Sequence, residues 1–268
     1  MGATFDQAGR LYVWEKRGTL WVVENGVKLE PPLVDLSEEV ANARDFGMLG
    51  AALDPNFLSN GYVYLLYMTD RHHLLNFGTS NYDPSANDVN GSLIGRLTRY
   101  TAEAATGFSS VDPNSRTVLI GETPSTGVPS THLSHGVGSL VFGTDNTLLV
   151  STGDGASFNS IDEGSAGEGY YQQALADGSL RADENVGAYR SQMTTSLSGK
   201  ILRIDPATGD GLPSNPYWNA ADPRAPESRV WALGLRNPFR MTKQANTGSH
   251  APEDGDPGVL LIGDVGWA

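Results

Sequence analysis

The segment Phe5-Asp6-Gln7-Ala8-Gly9-Arg10-Leu11-Tyr12-Val13 shares its layout with Phe142-Gly143-Thr144-Asp145-Asn146-Thr147-Leu148-Leu149-Val150, and Asp256-Pro257-Gly258-Val259-Leu260-Leu261-Ile262 is a looser copy. In each, an Asp-containing turn runs into a hydrophobic strand. A hairpin that buries a face only against its neighbours, repeated with insertions of variable length, is what a β-propeller requires. Each four-stranded sheet there packs on the next around a central channel. A two-sheet sandwich is the competing all-β reading, although the polar stretches at residues 81–91 and 157–190 are long for one. Such stretches suit surface loops around a channel mouth.

Composition points the same way. Charged residues make up 18% of the chain and glycine contributes 32 of 268 residues, a bias toward turn-rich β structure. Short β-branched and aromatic runs at residues 11–14, 20–23, 62–68, 139–142, 148–150, 201–204 and 259–262 are each bounded by Gly, Asp, Asn or Pro and predict strands. Helices are predicted only at residues 36–43, with Ser37 as the cap, and around residues 170–177. No linker or low-complexity tract stands out, so residues 1–268 read as a single domain.

The net charge of -13 argues against nucleic acid or an anionic membrane as the main partner. No apolar run approaches the roughly 20 residues needed to span a bilayer, and the first residues lack the basic-then-apolar pattern of an export signal. With 0 cysteines, disulfides, thiolate metal sites and cysteine nucleophiles are excluded. Walker, Rossmann, Gly-x-Ser-x-Gly and His-Glu-x-x-His patterns are also missing from the sequence. The chemistry of this chain therefore falls to His, Asp, Glu, Arg or an unusual cofactor.

Three segments could carry it. In Thr131-His132-Leu133-Ser134-His135-Gly136-Val137-Gly138, His135 stands at a glycine-flanked strand entrance, where backbone and ligand can approach closely. Asp154, in Ser151-Thr152-Gly153-Asp154-Gly155, ends the next strand and could orient that imidazole across a hairpin. In Leu235-Arg236-Asn237-Pro238, a planar cation and an amide precede a proline that stops regular pairing, and Arg236 could clamp a carboxylate or polarise a carbonyl. Each also has a structural reading: a loop histidine bonded to backbone, a turn aspartate, and an arginine paired with one of the 31 acids.

Taken together, these segments resemble the glucose/sorbosone dehydrogenase family. The resemblance also takes in Gly9-Arg10-Leu11-Tyr12-Val13-Trp14-Glu15-Lys16-Arg17-Gly18, Phe46-Gly47-Met48-Leu49-Gly50, Ser198-Gly199-Lys200-Ile201-Leu202-Arg203-Ile204-Asp205 and Ile262-Gly263-Asp264-Val265-Gly266-Trp267. It implies an all-β fold, a six-bladed β-propeller of the quinoprotein type. It implies oxidation of an aldose or related sugar alcohol by hydride transfer to pyrroloquinoline quinone (PQQ), with calcium and an external electron acceptor, in the periplasm or outside the cell. Carried over residue by residue, His135 matches the general base and Asp154 the acid that orients it. Arg236 and Asn237 match the pair beside the quinone, and Gly266 and Trp267 match backbone carbonyl ligands of calcium.

The chain departs from that pattern at several positions. Asp45 stands where the best-known glucose oxidisers have a glutamine at the cofactor, Ser134 where they have an acid before the base, and Gly266-Trp267 where they have Gly-Pro. The lysine and arginines that bind the cofactor in the family fall beyond residue 268. The expectation is therefore a partial propeller of roughly four blades, with the C-terminal blades missing. A non-catalytic binding module resembling the hedgehog-interacting type is the alternative, since such propellers keep the Leu-Arg-Asn-Pro and Gly-Asp-Val-Gly segments.

Overall fold

The computed structural model describes residues 2–159 and 161–266. Among the described residues, sixteen strands form four antiparallel sheets in chain order. The first holds β1 (Gly2–Phe5), β2 (Leu11–Trp14), β3 (Thr19–Glu24), β4 (Val27–Lys28) and β5 (Val34–Asp35). The second holds β6 (Met48–Leu53), β7 (Tyr62–Thr69), β8 (Leu93–Ala102), β9 (Val111–Ile120) and β10 (Val128–Ser130). The third runs β11 (Val137–Phe142), β12 (Leu148–Thr152), β13 (Lys200–Ile204) and β14 (Val230–Leu233). In the fourth, β15 (Pro238–Lys243) pairs with β16 (Leu260–Asp264).

Side-chain alternation shows how the sheets stack. Along β7, Val63, Leu65 and Tyr67 enter a core shared with Tyr12, Leu20 and Val22 of the first sheet. The intervening Tyr64, Leu66 and Met68 enter a second core with Leu140, Val150 and Leu202 of the third sheet. The third sheet repeats the device: Leu148 and Val150 face the second sheet, whereas Leu149 and Ile201 pack with Met241 of the fourth. A strand buried on both faces reads as a continuous apolar run, as β7 does. Two sheets facing each other cannot produce three such layers, so the sandwich alternative fails and the serial packing is that of propeller blades.

The first strands of successive sheets lie side by side, β1 against β6, β6 against β11 and β11 against β15. The sheets are tied here by Trp14 Nε1 of β2 donating to the Leu49 carbonyl of β6 at 3.2 Å, and by Ser139 Oγ of β11 donating to the Phe239 carbonyl of β15 at 3.2 Å. The close approach needs glycine at position 138, where a Cβ would lie 2.4 Å from the Pro238 carbonyl oxygen.

The repeated Asp turn joins the first and second strands of each sheet. Asp6 and Asp145 cap the backbone two residues on, accepting from Ala8 N at 2.9 Å and Thr147 N at 3.0 Å. Asp256 takes the same part in the fourth sheet, through Gly258 N at 3.3 Å. The second sheet carries a copy that the sequence reading missed, Asp54, which accepts from Asn56 N at 2.8 Å. A short helix at Phe57–Asn60 separates that turn from β7 and disguises the layout.

The helix expected at 170–177 forms as Tyr171–Asp177. The one expected at 36–43 does not. Ser37 N donates to Asp35 Oδ1 at 2.9 Å in a turn, Val40 bridges Thr69, and Ala41 N donates to the Met68 carbonyl at 2.9 Å. Edge pairing with β7 and the burial of Glu39, which accepts from Arg96 and Tyr67 at 2.6 Å and from Arg116 at 2.7 Å, override the local helical preference.

Candidate active site

His135 stands one residue away from the start of β11, beyond Gly136, and Asp154 one residue past the end of β12, beyond Gly153, so the hairpin of the third sheet brings both to one end. His135 Nδ1 lies 2.8 Å from Asp154 Oδ1, and both side chains are buried. Asp154 Oδ1 also accepts from Ala156 N at 3.0 Å, which fixes the carboxylate. A neutral ring donating from Nδ1 to that carboxylate leaves Nε2 as a proton acceptor.

The histidine backbone sits at φ 53°, a left-handed conformation uncommon outside glycine. Three contacts hold it there. Its N–H donates to Asp45 Oδ2 at 3.2 Å, its carbonyl accepts from Gly155 N at 2.9 Å, and its ring is anchored on Asp154. Gly153 has to be glycine, because a Cβ there would fall 2.2 Å from the His135 carbonyl oxygen.

Arg236 and Asn237 reach the same place from the turn between β14 and β15. Asp154 N donates to the Arg236 carbonyl at 2.8 Å. Asp264, at the end of β16, accepts from Arg236 N at 3.2 Å and Asn237 N at 2.6 Å. The Arg236 guanidinium donates to the carbonyls of Val265 at 2.8 Å and Gly266 at 3.4 Å. An open depression of about 490 Å³ is lined by Asp45, His135, Arg236, Asn237 and Gly266, with Ser134 and Phe158 on its wall. The structure thus gathers Asp45, His135, Asp154, Arg236, Asn237 and Gly266; Trp267 lies outside the described residues.

Two supporting residues escaped the sequence reading. Arg190 is fully buried behind the pair and donates to the Asp154 carbonyl at 3.2 Å, the Gly155 carbonyl at 3.0 Å and Thr131 Oγ1 at 3.0 Å. It comes from the polar insertion, where nothing local distinguishes it from a surface arginine. Asp264 stands inside the Gly-Asp-Val-Gly segment, so position alone could have flagged it. Ser134, at the position where an acid was expected, donates to the Ala156 carbonyl at 3.1 Å and contacts His132 Nδ1 at 2.9 Å.

Burial holds His132 below its ordinary 6.5, outweighing the opposing pull of Glu168. In the unfolded chain the ring takes up a proton as pH falls through about 6.5, whereas in the folded chain it resists until lower pH. Acid therefore favours unfolding across that window. His73 is lowered by burial too, with the same sign. The urea midpoint of the protein is expected to fall between pH 7.5 and 5, and less steeply after His132→Gln. An unchanged slope in that variant would show that His132 does not contribute.

The sequence profile described as Glucose / Sorbosone dehydrogenase matches residues 1–258. Among curated proteins, the chain is 26% identical over 310 aligned positions to the HIPL2 protein of Arabidopsis thaliana, covering 98% of this chain and 40% of that protein. It is 25% identical to the Hedgehog-interacting protein of Mus musculus, covering 88% and 28%. Among solved structures, the putative oxidoreductase (glucose dehydrogenase) of Thermus thermophilus superposes with a TM-score of 0.58 at 23% identity, over 91% of this chain and 54% of the other. The PQQ-bound aldose sugar dehydrogenase of Streptomyces coelicolor gives 0.56 at 19% identity, over 92% and 56%. These structural likenesses establish the fold. The chain spans 40% of its first curated relative and 54% of the Thermus protein. With the profile running through the first three sheets, β15 of the fourth and the segments of His135, Asp154 and Arg236, the chain belongs to the glucose/sorbosone dehydrogenase family.

Proposed function

We propose that the depression is the reaction centre of a PQQ-dependent sugar dehydrogenase, in which His135 takes the proton from a sugar hydroxyl. The observation that carries this reading is the buried 2.8 Å contact between His135 Nδ1 and Asp154 Oδ1 at the wall of an open depression that also holds a guanidinium. A scaffold has no chemical use for that arrangement, whereas a general base needs its ring oriented and its second nitrogen unprotonated.

The residues present suit the quinone. Arg236 offers a planar guanidinium and Asn237 an amide beside the imidazole, a donor set matched to the carbonyl and carboxylate oxygens of a flat acid. Bound there, PQQ would supply the acceptor for the hydride, two electrons with one hydrogen nucleus, released from the sugar carbon. His135 Nε2 receives the hydroxyl proton, Asp154 steadies the imidazolium that results, and Asp45 holds the backbone that aims the ring. The positive charge of Arg236 favours negative charge developing on an oxygen nearby.

Calcium rests on the family resemblance. The Gly266 carbonyl already accepts from Arg236, and among the described residues no group of three or more His, Asp or Glu side chains could hold a metal ion. The same reading implies an aldose or related sugar as substrate, an external electron acceptor and a location in the periplasm or outside the cell.

The similarity to HIPL2 and Hedgehog-interacting proteins favours a second reading, a propeller that binds a partner without redox chemistry. Titration with PQQ separates the two. Saturable uptake followed by bleaching of the quinone absorbance on adding an aldose is expected; uptake or bleaching that fails in the presence of calcium leaves the binding module.

A further inference from the structure

A second cavity, of about 410 Å³, opens between the second and third sheets, between the segment leading into β10 and the segment leading into β14. It shares no lining residue with the depression at His135. Its wall carries the guanidinium of Arg229, which is 3% exposed and forms no hydrogen bond or ion pair among the described residues. Burial, reinforced by nearby Arg224 and opposed by the carboxylates of Asp210 and Asp222, lowers its pKa to about 10, which still leaves it charged at neutral pH. A buried guanidinium whose N–H groups find no hydrogen-bond or ion-pair partner is costly, and a ligand that supplies the partner removes that cost.

The neighbouring arginines do not share this condition. Arg224 is paired with Glu122 and Asp210, and Arg181 with Asp183 and Glu184. Among the arginines that line the cavity, Arg229 is left without an ion pair, with the Asp210 and Asp222 carboxylates near enough to act on it but not hydrogen-bonded to it. Around it the cavity presents the hydroxyls of Ser125 and Thr126 and the carboxylates of Glu184 and Asp222. A guanidinium fork matches a carboxylate in two parallel hydrogen bonds. The acids repel a multiply charged anion such as phosphate, yet accept hydrogen bonds from alcohols, as the two hydroxyls can also do. The volume lies toward the small end of ligand sites.

We infer that this cavity binds a small hydroxylated monocarboxylate, of the sugar-acid class, through Arg229. The site does not depend on the redox reading, because it uses none of the residues of the His135 depression.

D-gluconate is the probe. Added to the protein at constant ionic strength, it is expected to raise the thermal unfolding midpoint saturably by a few degrees. D-glucose, sodium sulfate and sodium chloride should leave the midpoint within error. Arg229→Met should abolish the response while unfolding at no lower temperature than the parent without gluconate, since it removes an unpaired charge. Ser125→Trp, on an exposed segment at the opposite wall, should also abolish it by filling the cavity, and serves if the methionine variant folds poorly. Arg236→Met should retain the response in full. A midpoint indifferent to gluconate, a response as large in Arg229→Met or Ser125→Trp as in the parent, or one lost in Arg236→Met would overturn the proposal.

Discussion

Replacing His135 with asparagine is expected to lower sugar turnover by about 10²- to 10⁴-fold while changing PQQ affinity by no more than a few fold. Asparagine is chosen over alanine because the backbone here is left-handed, at φ 53°, and asparagine tolerates that region. The substitution removes the nitrogen that takes the proton but keeps the hydrogen bonds that the His135 backbone makes with Asp45 and Gly155. Single-turnover quinone reduction on mixing with an aldose is the appropriate measurement, because it isolates the chemical step from reoxidation. Asp154→Asn should act in the same direction by a smaller factor, since the ring loses its orienting carboxylate but keeps its base. Turnover within threefold of the parent in His135→Asn would remove the base from the proposed mechanism.

The largest expected loss of stability lies elsewhere, at the fully buried Asp145–Arg203 pair, 2.7 Å apart. Arg203 is fully committed. It also donates to Thr147 Oγ1 at 3.1 Å, Ser214 Oγ at 2.8 Å, Asn215 Oδ1 at 2.9 Å and the Pro252 carbonyl at 2.8 Å. One guanidinium thus joins the Asp turn of the third sheet to the loop after β13 and to the segment before β16. Arg203→Met would strand the Asp145 carboxylate in the interior, a change expected to cost about 3–5 kcal/mol. Urea unfolding followed by fluorescence would read it. Pairing Arg203→Met with Asp145→Leu should recover part of the loss, and only part, because Asp145 Oδ1 also caps the turn through Thr147 N and Oγ1 at 3.0 and 2.7 Å. A loss below about 1 kcal/mol in the single variant would show that the pair does not hold these segments together.

Much of this molecule is legible in its sequence, for a reason that differs from element to element. A strand such as β7 announces itself because it is buried on both faces, and a continuous run of aliphatic and aromatic residues is the direct consequence. The Asp turns are visible because an aspartate that caps backbone two residues on is a local device, complete within its own segment. The site residues were found through motifs in family order; spacing could not have found them, since each segment alone suits an ordinary turn or ion pair.

Local sequence therefore indicated seven of the sixteen strands among the described residues and three of the four Asp turns, since an Asp turn is complete within its own few residues. Tertiary packing decided the rest. Residues 36–43 became an edge bridge instead of a helix once Glu39 had Arg96 and Arg116 to meet. Asp45 became the acceptor for the His135 backbone, Arg190 the support beneath Asp154, and Arg229 a buried charge beside open space. In each case the deciding partner lies far away in the chain, and desolvation makes its presence or absence matter; neither quantity is encoded in the neighbouring residues.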